Sequence, residues 1–325
     1  MLNILAQIGA RWAGTPLPAP TRVQFEVANC CNLACPMCPR DQLNLPQTIM
    51  PLEVFRAGLA SCPPGCKITL TGWGEPLLNR DLFTMVREAR AAGHPTAFTS
   101  NGILLDRHLD AILDSGLDAL SVSLDSTLPD AHGHGDASKQ LANLQALQAR
   151  ARERGLPCPT LSLLSTLQDD GGRGALSVVE AAARIGVARM VLVRLNIWNP
   201  ASGLKRPELA TEIRNIARIE RAARRHGLRV DHNGAFFTGV PRVLYRLLRP
   251  WLYRGDTVCP KPLDFLYVRD NGDVTPCCDL PHSVVGNVMR ERLLDIWNGA
   301  AVARFRQAMP ERCRHCDHLF LRQKY

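Results

Sequence analysis

The sequence has no run of about twenty apolar residues, so no segment reads as a membrane-spanning helix. It has no charged leader followed by a long apolar stretch: "MLNILAQIGARWAG" does not read as a signal peptide, and a cytoplasmic protein is expected. Repeats and low-complexity stretches are missing, and 24 Gly and 23 Pro spread along the chain give no sign of disorder. Only residues 1–20 precede the first expected strand, which leaves no evident N-terminal domain. Acidic residues are outnumbered, 30 against 39 basic, for a net charge of +9. The arginines are scattered along helix-like segments, so solvated helix faces are expected rather than a nucleic-acid surface.

Cysteine is what the chain has in excess. There are 12, in a sequence with no export signal, a context that favours metal ligands or catalytic thiols over disulfides. Four fall at 30, 31, 35 and 38, and five at 259, 277, 278, 313 and 316. Two clusters at opposite ends suggest two metal sites.

Between them, strand-like and helix-like runs alternate. Strands are expected at 22–29, 67–72, 95–102, 118–126, 160–167 and 189–196, and helices at 51–61, 80–93, 106–116, 137–155 and 175–186. A basic helix over 207–227 leads into a short strand, "LRVDHN". The apolar, aromatic and basic segment 241–255 reads as a helix packed between domains, with a membrane-surface or substrate-lid role as the alternative. A hairpin turning at Asn271-Gly272 and one helix over "ERLLDIWNGAAVARFRQAM" close the chain. The alternation predicts an α/β fold with a parallel sheet. The partition expected is an extension at 1–20, a core at 21–205, a helical connector at 206–255 and a small C-terminal domain at 256–325.

Parallel α/β folds bind ligands at the carboxyl ends of their strands, and the unusual residues fall there. After strand one, Cys31, Cys35 and Cys38 are spaced C-x3-C-x2-C. Three thiolates this close can hold one face of an iron–sulfur cube, leaving a position open for another ligand; zinc or unligated core cysteines are the alternatives. After strand two, "GWGEP" places Gly72 and Gly74 for close approach to a ligand, with Glu75 and freed carbonyls to receive an ammonium. "TSNG" offers Ser100 and Asn101, and "SVSLDS" offers Ser123 and Asp125 for a ribose hydroxyl or a carboxylate contact.

In that order these motifs resemble the radical S-adenosylmethionine (SAM) superfamily over about residues 20–200: the "CNLACPMC" loop, Gly74-Glu75-Pro76 in a W-G variant of G-G-E-P, "SNG" and "SLD". The resemblance implies a partial (β/α)6 TIM-type barrel and a 4Fe-4S cluster on Cys31, Cys35 and Cys38 that chelates SAM. It also implies reductive cleavage to a 5′-deoxyadenosyl radical and a flavodoxin- or ferredoxin-type electron donor. SAM contacts would come from Gly74, Glu75, Pro76, Ser100, Asn101, Ser123 and Asp125.

At the C-terminus, Cys259, Cys277, Cys313 and Cys316 can close a tetrahedral zinc site or saturate an iron–sulfur cluster; spacing alone does not separate these, and alone it favours zinc. The run "C…NGDVTPCC…GNV…LLDIWN…C-x2-C" is similar to the SPASM/twitch auxiliary-cluster region of radical SAM enzymes, and its C-x17-C pairing resembles twitch enzymes of the 2-deoxy-scyllo-inosamine dehydrogenase kind. That resemblance implies a second, auxiliary 4Fe-4S cluster, with Cys277 rather than Cys278 as ligand, accepting an electron from a substrate radical. The expected activity is oxidation of a small or sugar-like molecule. The alternatives are maturation of a ribosomal peptide, radical epimerisation with Cys278 or Cys30 returning a hydrogen atom, and, remotely, a non-enzymatic zinc protein. Arg194 and Asn196, closing strand six, are further candidates to touch SAM or accept a substrate proton, ordinary strand-end hydrogen bonding being the alternative. Cys62 and Cys66 read as bystanders, Cys158 as a buried strand residue, and His132 and His134 as part of a solvent-facing loop.

Overall fold

The computed structural model describes residues 17–38, 40, 45–129, 135–197, 204–233 and 261–309. The expectations for His132, His134, the segment 241–255, Cys259, Cys313 and Cys316 lie outside the described residues. By contacts the chain forms two compact units: one holds residues 1–30, 46–97 and 245–325, the other 31–45 and 98–244.

In the first unit, strands β1 (Arg22–Phe25), β2 (Lys67–Leu70) and the start of β3 (Thr96–Ser100) run parallel. Helices α1 (Leu52–Leu59) and α2 (Leu82–Ala91) cross between them. Phe25 packs edge-on against Phe55 of α1, with ring centroids 4.9 Å apart. Alternation along the strand then sends Gln24 and Glu26 to the opposite face. The C-terminal hairpin has β8 (Phe265–Val268) and β9 (Asp273–Thr275) antiparallel, with β10 (Gly286–Asn287) beside β9. Its turn is at Asn271-Gly272 as expected, Gly272 having φ +88°. The sequence gives no hint that β8 also pairs in parallel with β1, Arg22 to Phe265 through Phe25 to Val268. The expected final helix is two, α7 (Leu293–Asn298) and α8 (Ala300–Gln307). They part at Gly299, whose extended backbone (φ −73°, ψ 158°) ends one and caps the next.

The second unit has β4 (Ala119–Ser123), β5 (Thr160–Leu167), β6 (Arg189–Arg194) and β7 (Arg229–Asn233), parallel and in that order. Helices α3 (Leu109–Asp114), α4 (Ala137–Arg154), α5 (Arg173–Arg184) and α6 (Leu209–Arg225) alternate with them. The α4 helix shows why such elements are readable. Asp136 caps its start by accepting from the amides of Ser138 and Lys139 at 2.9 and 3.2 Å, and Gly155 ends it in the left-handed region (φ 62°). Cys158, expected inside a strand, is exposed instead, because it lies two residues before the first residue of β5 in an irregular segment flanked by Pro157 and Pro159.

Candidate functional site

In the second unit, Cys31, Cys35 and Cys38 share one tight loop and are all half-buried. The Cys38 amide donates to the Cys35 carbonyl at 3.0 Å, closing a turn that draws these two residues together. Burial, then the neighbouring Cys38 and Cys31, push the Cys35 thiol up to about 12. Crowded thiols that resist ionisation beside one another are what a bound cation relieves. The Leu33 amide donates to Cys31 Sγ at 3.4 Å, and Asn101 Nδ2 lies 3.8 Å from the same sulfur while donating to Asn32 Oδ1 at 2.8 Å. Asn101 is thus brought to the cysteines. Among the described residues no three His, Cys, Asp or Glu side chains are drawn close enough to hold a single metal ion, but the three thiols and their N–H···S contacts have the donor chemistry of an iron–sulfur site.

The other strand-end residues of this unit are heavily engaged with their own chain. Ser100 Oγ accepts from the Gly102 amide at 2.9 Å, and Asn101 Oδ1 from Ile103 at 3.0 Å. Asp125 Oδ1 accepts from the Thr166 amide at 2.7 Å, tying the end of β4 to β5, while its charge is felt at Cys35. Two residues with no role in the sequence reading hold this layer. Gln140 of α4 donates to the carbonyls of Asn101 (2.5 Å) and Ser123 (3.0 Å), and Asn143 donates to that of Gly102 at 2.9 Å. Neither had a sequence signal beyond being an amide on a helix. Arg194 is buried against Glu212, with Nε 3.0 and 3.1 Å from the two carboxylate oxygens and Nη2 3.1 Å from one. Its guanidinium, expected at a ligand, is bound up in this ion pair.

In the first unit, "GWGEP" folds onto residues 28–30. The amides of Gly74 and Glu75 donate to the carbonyls of Ala28 (2.9 Å) and Cys30 (2.8 Å). A Cβ on Gly74 would stand 2.1 Å from the Cys30 carbonyl oxygen, and one on Gly72 2.4 Å from that of Ala28. Close approach is therefore required, as expected, but to the chain's own backbone. Glu75 is buried and accepts from Leu77 at 3.1 Å, capping the single turn that Pro76 begins. Asn79 was overlooked: its Nδ2 donates to the carbonyls of Val27 (2.9 Å) and Met50 (3.2 Å). Beside Gly74, Trp73 Nε1 is buried with no hydrogen-bond partner among the described residues, an orphaned donor that fits an acceptor on a bound nucleoside or carboxylate.

Also in this unit, Cys277 is buried and Cys278 half-buried. Their mutual hydrogen bond pushes the Cys277 thiol up, with burial adding to it, and pulls Cys278 down. Lys261 Nζ donates to Cys278 Sγ at 3.4 Å and to Asp279 Oδ2 at 2.9 Å. Cys66 Sγ sits 3.6 Å from His94 Nδ1.

Residues 25–169 match the Radical SAM superfamily, and residues 259–317 match a SPASM iron–sulfur cluster-binding domain. The chain thus carries a radical SAM domain followed by a SPASM iron–sulfur domain, and those domains imply 4Fe-4S clusters and SAM as cofactors. Among characterised proteins it is 29% identical over 322 residues to the PqqA peptide cyclase of Xanthomonas campestris pv. campestris (strain B100), covering 92% of this chain and 80% of that protein. The PqqA peptide cyclase of Ruegeria pomeroyi is 28% identical, covering 93% and 81%. Among solved structures, Streptococcus suis SuiB bound to S-adenosylmethionine aligns with a TM-score of 0.72 at 15% identity, over 92% of this chain and 70% of that one. The fold class is accordingly the parallel-sheet α/β partial barrel of the superfamily, followed by antiparallel C-terminal strands. Among the described residues, no helix is long and apolar enough to cross a membrane.

Proposed function

We propose that this protein modifies a ribosomally made peptide by radical chemistry. The observation that carries the reading is the likeness to PqqA peptide cyclases, which spans 92% of the chain. It favours the peptide alternative over the oxidation of a sugar-like alcohol expected from the C-x17-C pairing. When bound, the first 4Fe-4S cluster would supply the electron for reductive cleavage of SAM and so for hydrogen-atom abstraction from the substrate, and an auxiliary cluster would supply an electron acceptor.

The chain's own residues would divide the work. Cys31, Cys35 and Cys38 hold the first cluster and leave it one open position. Asn101 and the Leu33 amide direct N–H groups at the Cys31 sulfur. Trp73 Nε1 and the turn at Gly74, Glu75 and Pro76 receive SAM. In the other unit, Ser100 and Asp125 brace their own strand ends through backbone ties. Cys259, Cys277, Cys313 and Cys316 hold the second cluster. Cys278, activated by Lys261, stands next to it as a thiol able to exchange a proton or a hydrogen atom. A flavodoxin- or ferredoxin-type protein delivers the electron.

The test is anaerobic incubation of the reconstituted protein with dithionite, SAM and peptides encoded beside its gene. Substrate-dependent 5′-deoxyadenosine and a mass change in a peptide are expected. Turnover of sugars or aminocyclitols, with every such peptide inert, would return the reading to small-molecule oxidation.

A further inference from the structure

The C-terminal hairpin grips the base of the cysteine loop, and every residue in that grip belongs to the first unit. The chain leaves β1 through residues 26–30 and returns through 46–50. These two legs are stitched together: the Asn29 amide donates to the Thr48 carbonyl at 2.8 Å, the Met50 amide to the Val27 carbonyl at 3.1 Å, and Ala28 and Ile49 form an antiparallel bridge. Cys31, Cys35 and Cys38 belong to the loop that the legs carry.

The hairpin holds each leg separately. On the outgoing leg, Tyr267 Oη donates to Glu26 Oε1 at 2.5 Å, Arg269 Nε lies 3.5 Å from Glu26 Oε2, and the Glu26 amide donates to the Val268 carbonyl at 2.8 Å. On the returning leg, Thr48 Oγ1 donates to Asp270 Oδ2. Glu26 and Tyr267 are fully buried, and Arg269 and Asp270 nearly so. Stability alone does not account for this set. The β1–β8 ladder already docks the hairpin through backbone bonds. A buried carboxylate, phenol, guanidinium and second carboxylate bring a desolvation cost that apolar side chains would avoid. What a buried polar network adds is a single defined arrangement.

We propose that Tyr267, Arg269 and Asp270 are positioning residues for the SAM-cluster loop: the iron–sulfur domain's hairpin fixes both legs, so presentation of Cys31, Cys35 and Cys38 depends on that domain being docked. The proposal rests on the reading that those three cysteines hold the SAM-binding cluster. It makes the auxiliary domain a structural partner of the first cluster as well as the carrier of a second.

The test uses the full chain. Tyr267→Phe with Thr48→Val removes one bond from each leg and keeps ring and bulk. Hydrogen–deuterium exchange of the apo protein reads the legs directly. Exchange about tenfold faster over the legs, with β4–β7 unchanged, is expected. After reconstitution the variant keeps its iron but shows a weakened SAM-induced change in the electron paramagnetic resonance spectrum of the reduced cluster. Unchanged exchange over the legs overturns the proposal; so does faster exchange with a normal SAM response, which reduces the contacts to a simple strap. If the double variant does not fold, Asp270→Asn read in the same two ways decides the matter. The Cys31→Ala, Cys35→Ala, Cys38→Ala variant tests the underlying reading separately. Loss of the SAM-induced spectral change supports that reading, and its retention sinks it while leaving the exchange result to stand alone.

Discussion

Glu26 shows how one buried side chain makes the whole molecule sensitive to pH. Burial raises its carboxyl above the ordinary value, and the Tyr267 hydrogen bond and Arg269 only partly oppose this. The folded state therefore holds the Glu26 proton more tightly than the unfolded chain does. Its contribution to stability is complete below the unfolded value of 4.5 and is lost as pH rises through the raised folded value. Glu26→Gln cannot ionise. Its melting temperature, followed by calorimetry of the apo protein from acid to neutral pH, is expected to fall less steeply than that of the native protein; parallel curves would show that the carboxyl titrates normally. Arg194 carries a different lesson at the same scale. A strand-end arginine invites a catalytic reading, but its partner Glu212 comes from the next helix, 18 residues on, and nothing in local sequence announces the pair.

At the scale of elements, most of the alternation was legible. The strand expected over residues 160–167 coincides with β5, and the α4 helix lies within one residue of its expected span, because both are periodic and well capped. Gly299 was not read as a break, since glycine inside an apolar-periodic run signals only a cost in helix propensity. The candidate site was legible as a cysteine spacing and a set of strand ends. Its support was not, because Gln140 and Asn143 act through carbonyls about 40 residues away. Gln140→Ala would strand the buried carbonyls of Asn101 and Ser123, and a loss of about 1–3 kcal/mol for each unsatisfied group is expected. Urea denaturation checks the stability. A variant as stable as the native protein would show that water replaces the amide.

At the scale of the whole chain, the join between β1 and β8 brings together residues 243 apart in sequence, and such long-range parallel pairing leaves no periodic trace. It also decides whether the protein can be divided. Strand β1 has β2 on one side and β8 on the other, so its second row of backbone donors and acceptors is covered only by the C-terminal segment. A chain cut before residue 261 would carry that row bare, as an edge open to any extended strand, including another copy of itself. Light scattering of the truncated protein is expected to show self-association at concentrations where the full chain stays monodisperse; a stable monomer would show that β1 needs no cover. In evolutionary terms, the SPASM segment is no spare part of this protein: its departure would turn the strand that leads to Cys31, Cys35 and Cys38 into an aggregation seam.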